Sequence, residues 1–455
     1  MFEVFMLYEV NPTTWFYLAT LMIVGIFFKF RRVWSVRNFD LAILLLLAPG
    51  LLMVAYGFGR GYAWLFTVEF LLLVRMMCDP MMVRKPLLDV NLSKGGLMFS
   101  CISLMVFLIA GTFLTQWSNP SSPQTATIQH LLTTQLNERV LQTPTSVESG
   151  GETVAIPPLT HGPGLPVFMR FADQPRQFLQ EELRLLKGSN IAQEILAAKQ
   201  TFQPMPMGIF CATQLVVILG QLAIVVGMIL IGWLHFENFA TGVAAATLYL
   251  LLPYSAQIPA RIDHIVPAAL LIWAVFSYRL PSLSGMLVGM SAAFSFYPLF
   301  LIPLWCSFYW TRGLYRFLLT CLTTAGILLL SNFLLAGGDL EGFLTEYFCV
   351  ANPLYMWPLE GYWSAMRMPI TAIYVILMMI LFFWPAQKNL GTLLANSATL
   401  MLGAQFCVPF QSGLYMAWFL PFAILVIFRP NLEDRTAQRA LMFRKRPPRT
   451  VSQEF

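Results

Sequence analysis

Apolar runs long enough to cross about 30 Å of hydrocarbon recur along this chain and leave it few ways to fold. They cover residues 14–29, 41–58, 62–77 and 97–117, then 209–235, 239–257, 265–278 and 284–310, and finally 314–335, 370–386, 390–407 and 413–428. A bilayer offers no hydrogen-bond partner to a bare peptide group, so each run must satisfy its own backbone as a helix. Composition agrees, because only 11% of the 455 residues are charged and 58% are apolar, whereas a soluble domain is about one-quarter charged. A chain this poor in charge cannot coat a globular surface, which excludes a cytosolic enzyme.

Lys and Arg in short loops mark the cytoplasmic side of such a protein. With the amino terminus outside, nineteen of the 28 bases fall on inner loops and on the tail from Arg429 to Phe455. The short outer loops then hold only Arg60, Arg261 and Arg367. This sorting requires 284–310 to enter and return, turning at Ser295, Phe296, Tyr297 and Pro298, where the proline breaks the helix. A single kinked crossing is the alternative, and it would invert one side of the chain. The expected fold class is an all-α polytopic membrane protein of about 12–13 transmembrane helices with a large outer-face loop region. Glu3 and Glu9, with no basic stretch, do not resemble a cleaved signal peptide.

Four regions follow. Residues 1–117 are amino-terminal transmembrane helices, 118–206 an extracytoplasmic loop region with short amphipathic helices, 207–428 the main bundle with an outer acidic and aromatic loop at 337–366, and 429–455 a basic cytoplasmic tail. The expected location is the plasma (inner) membrane of a cell envelope, amino terminus outside and carboxyl terminus cytoplasmic. The basic tail, with Arg444, Lys445 and Arg446 beside an apolar run, reads as a topological marker, so no nucleic acid partner is expected.

The outer segments hold most of the polar groups that orientation does not explain. In 118–206, Asp173 can cap a helix carrying Leu179, Leu183 and Leu186 on one face and ending at Gly188. Asn190 can start a second helix, and the pair lies on the membrane surface or covers a substrate. In 337–366, Glu341 and three further acids stand among Trp357, Tyr362 and other aromatics with no Lys or Arg before Arg367. Carboxylates accept sugar hydroxyls and aromatic faces pack on pyranose rings, but Trp and Tyr also gather at membrane interfaces as a belt.

The most informative spot is the turn Gln257, Ile258, Pro259, Ala260, Arg261, Ile262, Asp263, His264. Two readings fit it. Arg261 can snorkel while Asp263 caps the next helix; or Arg261 pairs with a lipid-linked phosphate while Asp263 or His264 moves a proton.

From this turn onward the sequence resembles a known family. Residues 244–303, AAATLYLLLPYSAQIPARIDHIVPAALLIWAVFSYRLPSLSGMLVGMSAAFSFYPLFLIP, are similar to the middle of GT-C fold glycosyltransferases that use polyprenyl-phosphate sugars. The likeness lies in a polar turn with Arg261 and Asp263, a small basic loop at Arg279, glycines at Gly285 and Gly289, and a broken segment at Tyr297, Pro298 and Pro303. It covers about 60 residues. The family's lysine before the broken segment's proline is absent, its place taken by Ser295 or Phe296, and no D-x-D or E-x-D pair occurs.

The resemblance implies a GT-C-like fold and an inverting transfer of a hexosyl or pentosyl group from a lipid-linked donor. A glycan, lipid or protein would be the acceptor, with membrane lipids as surroundings. An outer carboxylate, Asp263 or a loop acid such as Asp173, would deprotonate the acceptor hydroxyl, and Arg261 or Arg367 would stabilise the departing polyprenyl phosphate. His264, Glu341, Trp357 and Tyr362 would line the substrate site. Gly285 and Gly289 would let helices approach closely, whether or not a site is nearby.

A transporter or flippase for a lipid-linked or amphipathic substrate is the second class, with Glu69 and Arg75 its only hint. Six residues apart, these two lie on different helix faces and need not pair with each other. A non-catalytic scaffold is the third. No phosphate loop or dinucleotide fingerprint occurs, and the four His are too dispersed for an H-E-x-x-H zinc site. No cofactor is predicted, and no motif supports a divalent metal.

Overall fold

A computed structural model of the chain describes residues 12–81, 90–118, 147–149, 152–154, 164, 207–257, 262–335, 362–407 and 413–432. Apart from one antiparallel pair, β1 (Val147–Ser149) against β2 (Glu152–Val154), the elements are helical. The helices are α1 (Pro12–Phe27), α2 (Val36–Ala55), α3 (Arg60–Cys78), α4 (Lys94–Ser118), α5 (Met207–Leu234), α6 (Phe239–Leu251) and α7 (Pro253–Gln257). They continue as α8 (Ile262–Phe276), α9 (Pro281–Phe294), α10 (Ile302–Tyr309), α11 (Leu314–Leu335), α12 (Tyr362–Phe383), α13 (Leu390–Cys407) and α14 (Leu420–Phe428). Among the described residues, six helices are long and apolar enough to cross a membrane, and six shorter apolar stretches accompany them.

Large apolar side chains face outward in rows. Tyr315, Leu319, Leu322, Leu330 and Leu334 are exposed along α11, and Phe99, Ile102 and Val106 along α4. Exposed apolar area on this scale would aggregate in water and is at home in lipid. The chain is a multi-pass membrane protein. At the other extreme, every residue of α13 from Leu390 to Gln405 is buried, which makes it the axis of the bundle. One hydrophobic core joins residues of α1–α4 with residues of α5–α14, and α3 packs on α13 and α4 on α6.

The segment 284–310 breaks where the proline requires it. The helix α9 stops at Phe294, Tyr297–Leu301 forms a 3-10 turn, and α10 follows. At 1.5 Å per residue, α9 is about 21 Å long and α10 about 12 Å, so each falls short of the bilayer and is shielded by protein. Tyr309 Oη donates to the Tyr278 carbonyl at 2.6 Å, and Gly313 lies against the Pro281 ring. Both ends of the segment therefore meet at one level, and it enters and returns. The Gly285 and Gly289 seam lies against α11, where a Cβ would run into the carbonyl oxygens of Phe317 and Cys321. The glycines serve close packing.

The contacts sort the helix termini into two ends. One end gathers Lys29, Asn38, Asp40, Arg75, Asp79, Asn91, Tyr278, Tyr309, Lys388 and Arg429. Here Asn38, the third residue of α2, accepts from Lys29 N and donates to the carbonyls of Lys29, Arg32 and Val33, tying down the preceding turn. Arg75 grips both oxygens of Asp40 at 2.6 and 2.9 Å and reaches Asp79 at 3.2 Å. Arg429 Nε binds the other Asp79 oxygen at 3.0 Å, and its Nη2 pairs with the same atom. Two acids and two bases, all buried, cancel in charge and join α2, α3 and the end of α14. The opposite end gathers Tyr254, His264, Tyr297, Gly413, Tyr415 and Trp418.

Candidate functional site

The second end is built from helix breaks. Pro253 starts the short α7 after Leu252, Pro298 follows Tyr297, and Gly413 carries a φ of +86° that a side chain would strain. A tyrosine stands at or beside each break, and the three tyrosines converge. Tyr254 Oη and His264 Nδ1 lie 2.7 Å apart, with the donor set by the imidazole tautomer. The His264 ring lies 5.1 Å from the Tyr415 ring, Tyr415 stacks on Trp418 at 4.6 Å, and Trp418 stacks on Tyr297 at 4.3 Å. Gln405, from the buried axis helix, donates to the Tyr415 carbonyl at 2.8 Å. All of these side chains are buried.

Glu69 completes the region. It lies midway along α3, wholly inaccessible, beside Gly413. Neither carboxylate oxygen has a hydrogen-bond partner among the described residues. Arg75, the base on the same helix, is taken by Asp40 and Asp79. The two groups thus do not pair, as their spacing on the helix allows.

The sequence-predicted site residues divide into three groups. His264 is described, and it sits inside the cluster rather than at an open surface. Asp263 lies in the first turn of α8, and Tyr362 and Arg367 in the first two turns of α12, with their side chains outside the described residues. Asp173, Arg261, Glu341 and Trp357 fall wholly outside them, as do the amphipathic helices expected after Asp173. Sequence reasoning missed Tyr254, Tyr297, Tyr415, Trp418 and Gln405. The available signal was the tyrosine beside each proline or glycine break.

Chemically, the described cluster offers a hydroxyl–imidazole pair for holding or moving a proton, a buried carboxylate, and a stacked aromatic tier. Among the described residues, no group of three or more His, Cys, Asp or Glu is arranged to hold a metal ion. Comparison of the chain with family models, curated proteins and solved structures finds no match.

Proposed function

We propose that the chain is a GT-C-like membrane glycosyltransferase that moves a hexosyl or pentosyl group from a polyprenyl-phosphate donor to an acceptor at the outer face. The observation that carries this reading is the seating of the broken-helix tip, Tyr297, in the buried His264, Tyr415 and Trp418 cluster, at the end where the turn before α8 emerges. The segments 119–146 and 336–361, which carry most of the outer polar groups, connect to helices at that same end. On this reading the basic end faces the cytoplasm, in keeping with the positive-inside rule, with the carboxyl terminus cytoplasmic, the amino terminus outside and the plasma (inner) membrane as the location.

In this scheme Asp263 accepts the proton of the acceptor hydroxyl as its oxygen bonds the anomeric carbon. The bond from that carbon to the phosphate oxygen breaks, and the polyprenyl phosphate leaves with the electron pair. Arg261 and Arg367 offset the charge growing on that phosphate, while Tyr254 holds His264 in one orientation beside the reacting groups. Glu341, Trp357 and Tyr362 receive the acceptor, and Asp173 belongs to the segment that covers it.

A transporter is the second reading, favoured by Glu69. An intramembrane carboxylate without a described partner is a common mark of a proton or cation path.

The deciding experiment measures transfer from radiolabelled polyprenyl-phosphate sugars in membranes, with Asp263→Asn and Glu69→Gln at matched protein levels. Transfer by the wild type that is lost in Asp263→Asn supports the enzyme. No transfer from any of several donors overturns it.

A further inference from the structure

The basic end holds a cleft that the transferase scheme does not use. It measures about 430 Å³, within the size range of small-ligand sites, and its lining includes Ser307, Trp310, Thr311, Arg312, Gln387 and Lys388. None of its described lining residues is acidic. Lys388 is buried at 5% exposure. Its ammonium donates to Ser307 Oγ at 2.8 Å and to the carbonyls of Phe382 and Pro385, each at 2.9 Å. Three neutral oxygens match the three N–H groups, so the cation is fixed in the wall with no carboxylate among its hydrogen-bond partners. Arg312 adds a second positive charge, and Thr311 and Gln387 add a hydroxyl and an amide. The rim is aromatic and faces outward, with Trp310 63% and Phe383 72% exposed.

A buried ammonium whose hydrogen-bond partners are all neutral oxygens, in a cleft with no acid among its described lining residues, selects an anion, and a guanidinium, an amide and a hydroxyl at the mouth suit the several oxygens of a phosphate. The exposed aromatic rim selects a ligand that continues into the bilayer, because Trp and Phe at this depth pack against acyl chains and glycerol. We propose that this cleft binds the phosphate headgroup of an anionic membrane phospholipid. Lys388 supplies fixed charge from the wall, while Arg312, Thr311 and Gln387 meet the phosphate oxygens from the mouth. Burial without a counter-charge pulls the Lys388 pKa down to about 8, and a bound anion would relieve that cost. The site is independent of the transferase reading, since it lies at the opposite end and none of its residues enters the transfer.

The test uses the full chain in nanodiscs and native mass spectrometry, with phosphatidylglycerol and phosphatidylcholine as probes. The wild type should retain phosphatidylglycerol in preference to phosphatidylcholine. Arg312→Gln should weaken that preference about fivefold, with the unfolding temperature measured on each variant to separate lost binding from lost fold. Arg316→Gln removes a base of α11 outside the cleft lining and should leave the preference unchanged. Equal losses in the two variants would show diffuse surface attraction and overturn the proposal, as would a wild type with no preference. Millimolar inorganic phosphate should not displace the lipid, and displacement would overturn the lipid as the ligand's source.

Discussion

Two regions of the bundle handle buried charge in opposite ways. At the basic end, Asp40, Arg75, Asp79 and Arg429 are inaccessible and matched acid to base. Between that end and the aromatic cluster, Glu69 is wholly inaccessible, yet none of the described residues hydrogen-bonds its carboxylate. Removing a charge from water costs several kcal/mol unless a partner offsets it. The first arrangement fits a lock that fixes how the first helices meet the last one. The second leaves a carboxylate whose presence packing does not explain, beside a cluster that can hold a proton. Buried charge alone therefore does not identify a working site, and the state of its partners is the better guide.

The largest effect expected from breaking this contrast is at Asp79. Asp79→Ala removes the acid that Arg429 pairs with and leaves Arg75 only its Asp40 contacts, and should cost about 3–5 kcal/mol, read as a fall in the unfolding midpoint in detergent. A midpoint unchanged by that substitution would remove the lock from the comparison. Next comes Gly413→Ala, which places a side chain at a φ of +86° and within 3.3 Å of Leu65 Cβ. It should cost about 1–2 kcal/mol and disturb the Tyr415 stack, observable in the near-ultraviolet circular dichroism.

A smaller effect should follow from pH at the basic end. Lys388 is charged below its pKa of about 8 and loses that charge above it. Phosphatidylglycerol retention should thus weaken by up to about fivefold as pH rises from neutrality past that value. Because bound anion favours the charged amine, the loss should set in at a higher pH in the complex than in the lipid-free protein. The smallest effect on stability should come from Glu69→Gln, which keeps the shape and loses no described partner, and should shift the midpoint by about 0.5 kcal/mol or less. A drop as large as that of Asp79→Ala would show that Glu69 is held by an ionic partner, and the contrast between the two regions would fail.

Much of the architecture was legible in particular residues. The apolar runs became helices because lipid leaves the backbone no other partner. Pro298 broke its segment where expected, and among the described residues Lys29, Arg75, Lys388 and Arg429 lie at one end. The candidate site was legible only in part. His264 was singled out for its place in a polar turn, but its partners came from α7 and from 415–418, and nothing in the turn indicates which ring will stack beside it. Asp40, 35 positions from Arg75, gave no signal as its partner, whereas Asp79, four residues after Arg75 on the same helix face, carried one that the reading passed over.

By itself the sequence determined that this chain is helical, that it belongs in a membrane and that the segment around Pro298 breaks. Those properties are set segment by segment, by hydrocarbon thickness, backbone hydrogen bonding and loop charge. Only the tertiary structure decided that Arg429 would close on Asp79, 350 positions earlier, that Tyr297 would stack on Trp418, and that Glu69 would be enclosed. Such contacts depend on the rotation of each helix about its own axis. That rotation is fixed by the packing of all the neighbouring helices at once.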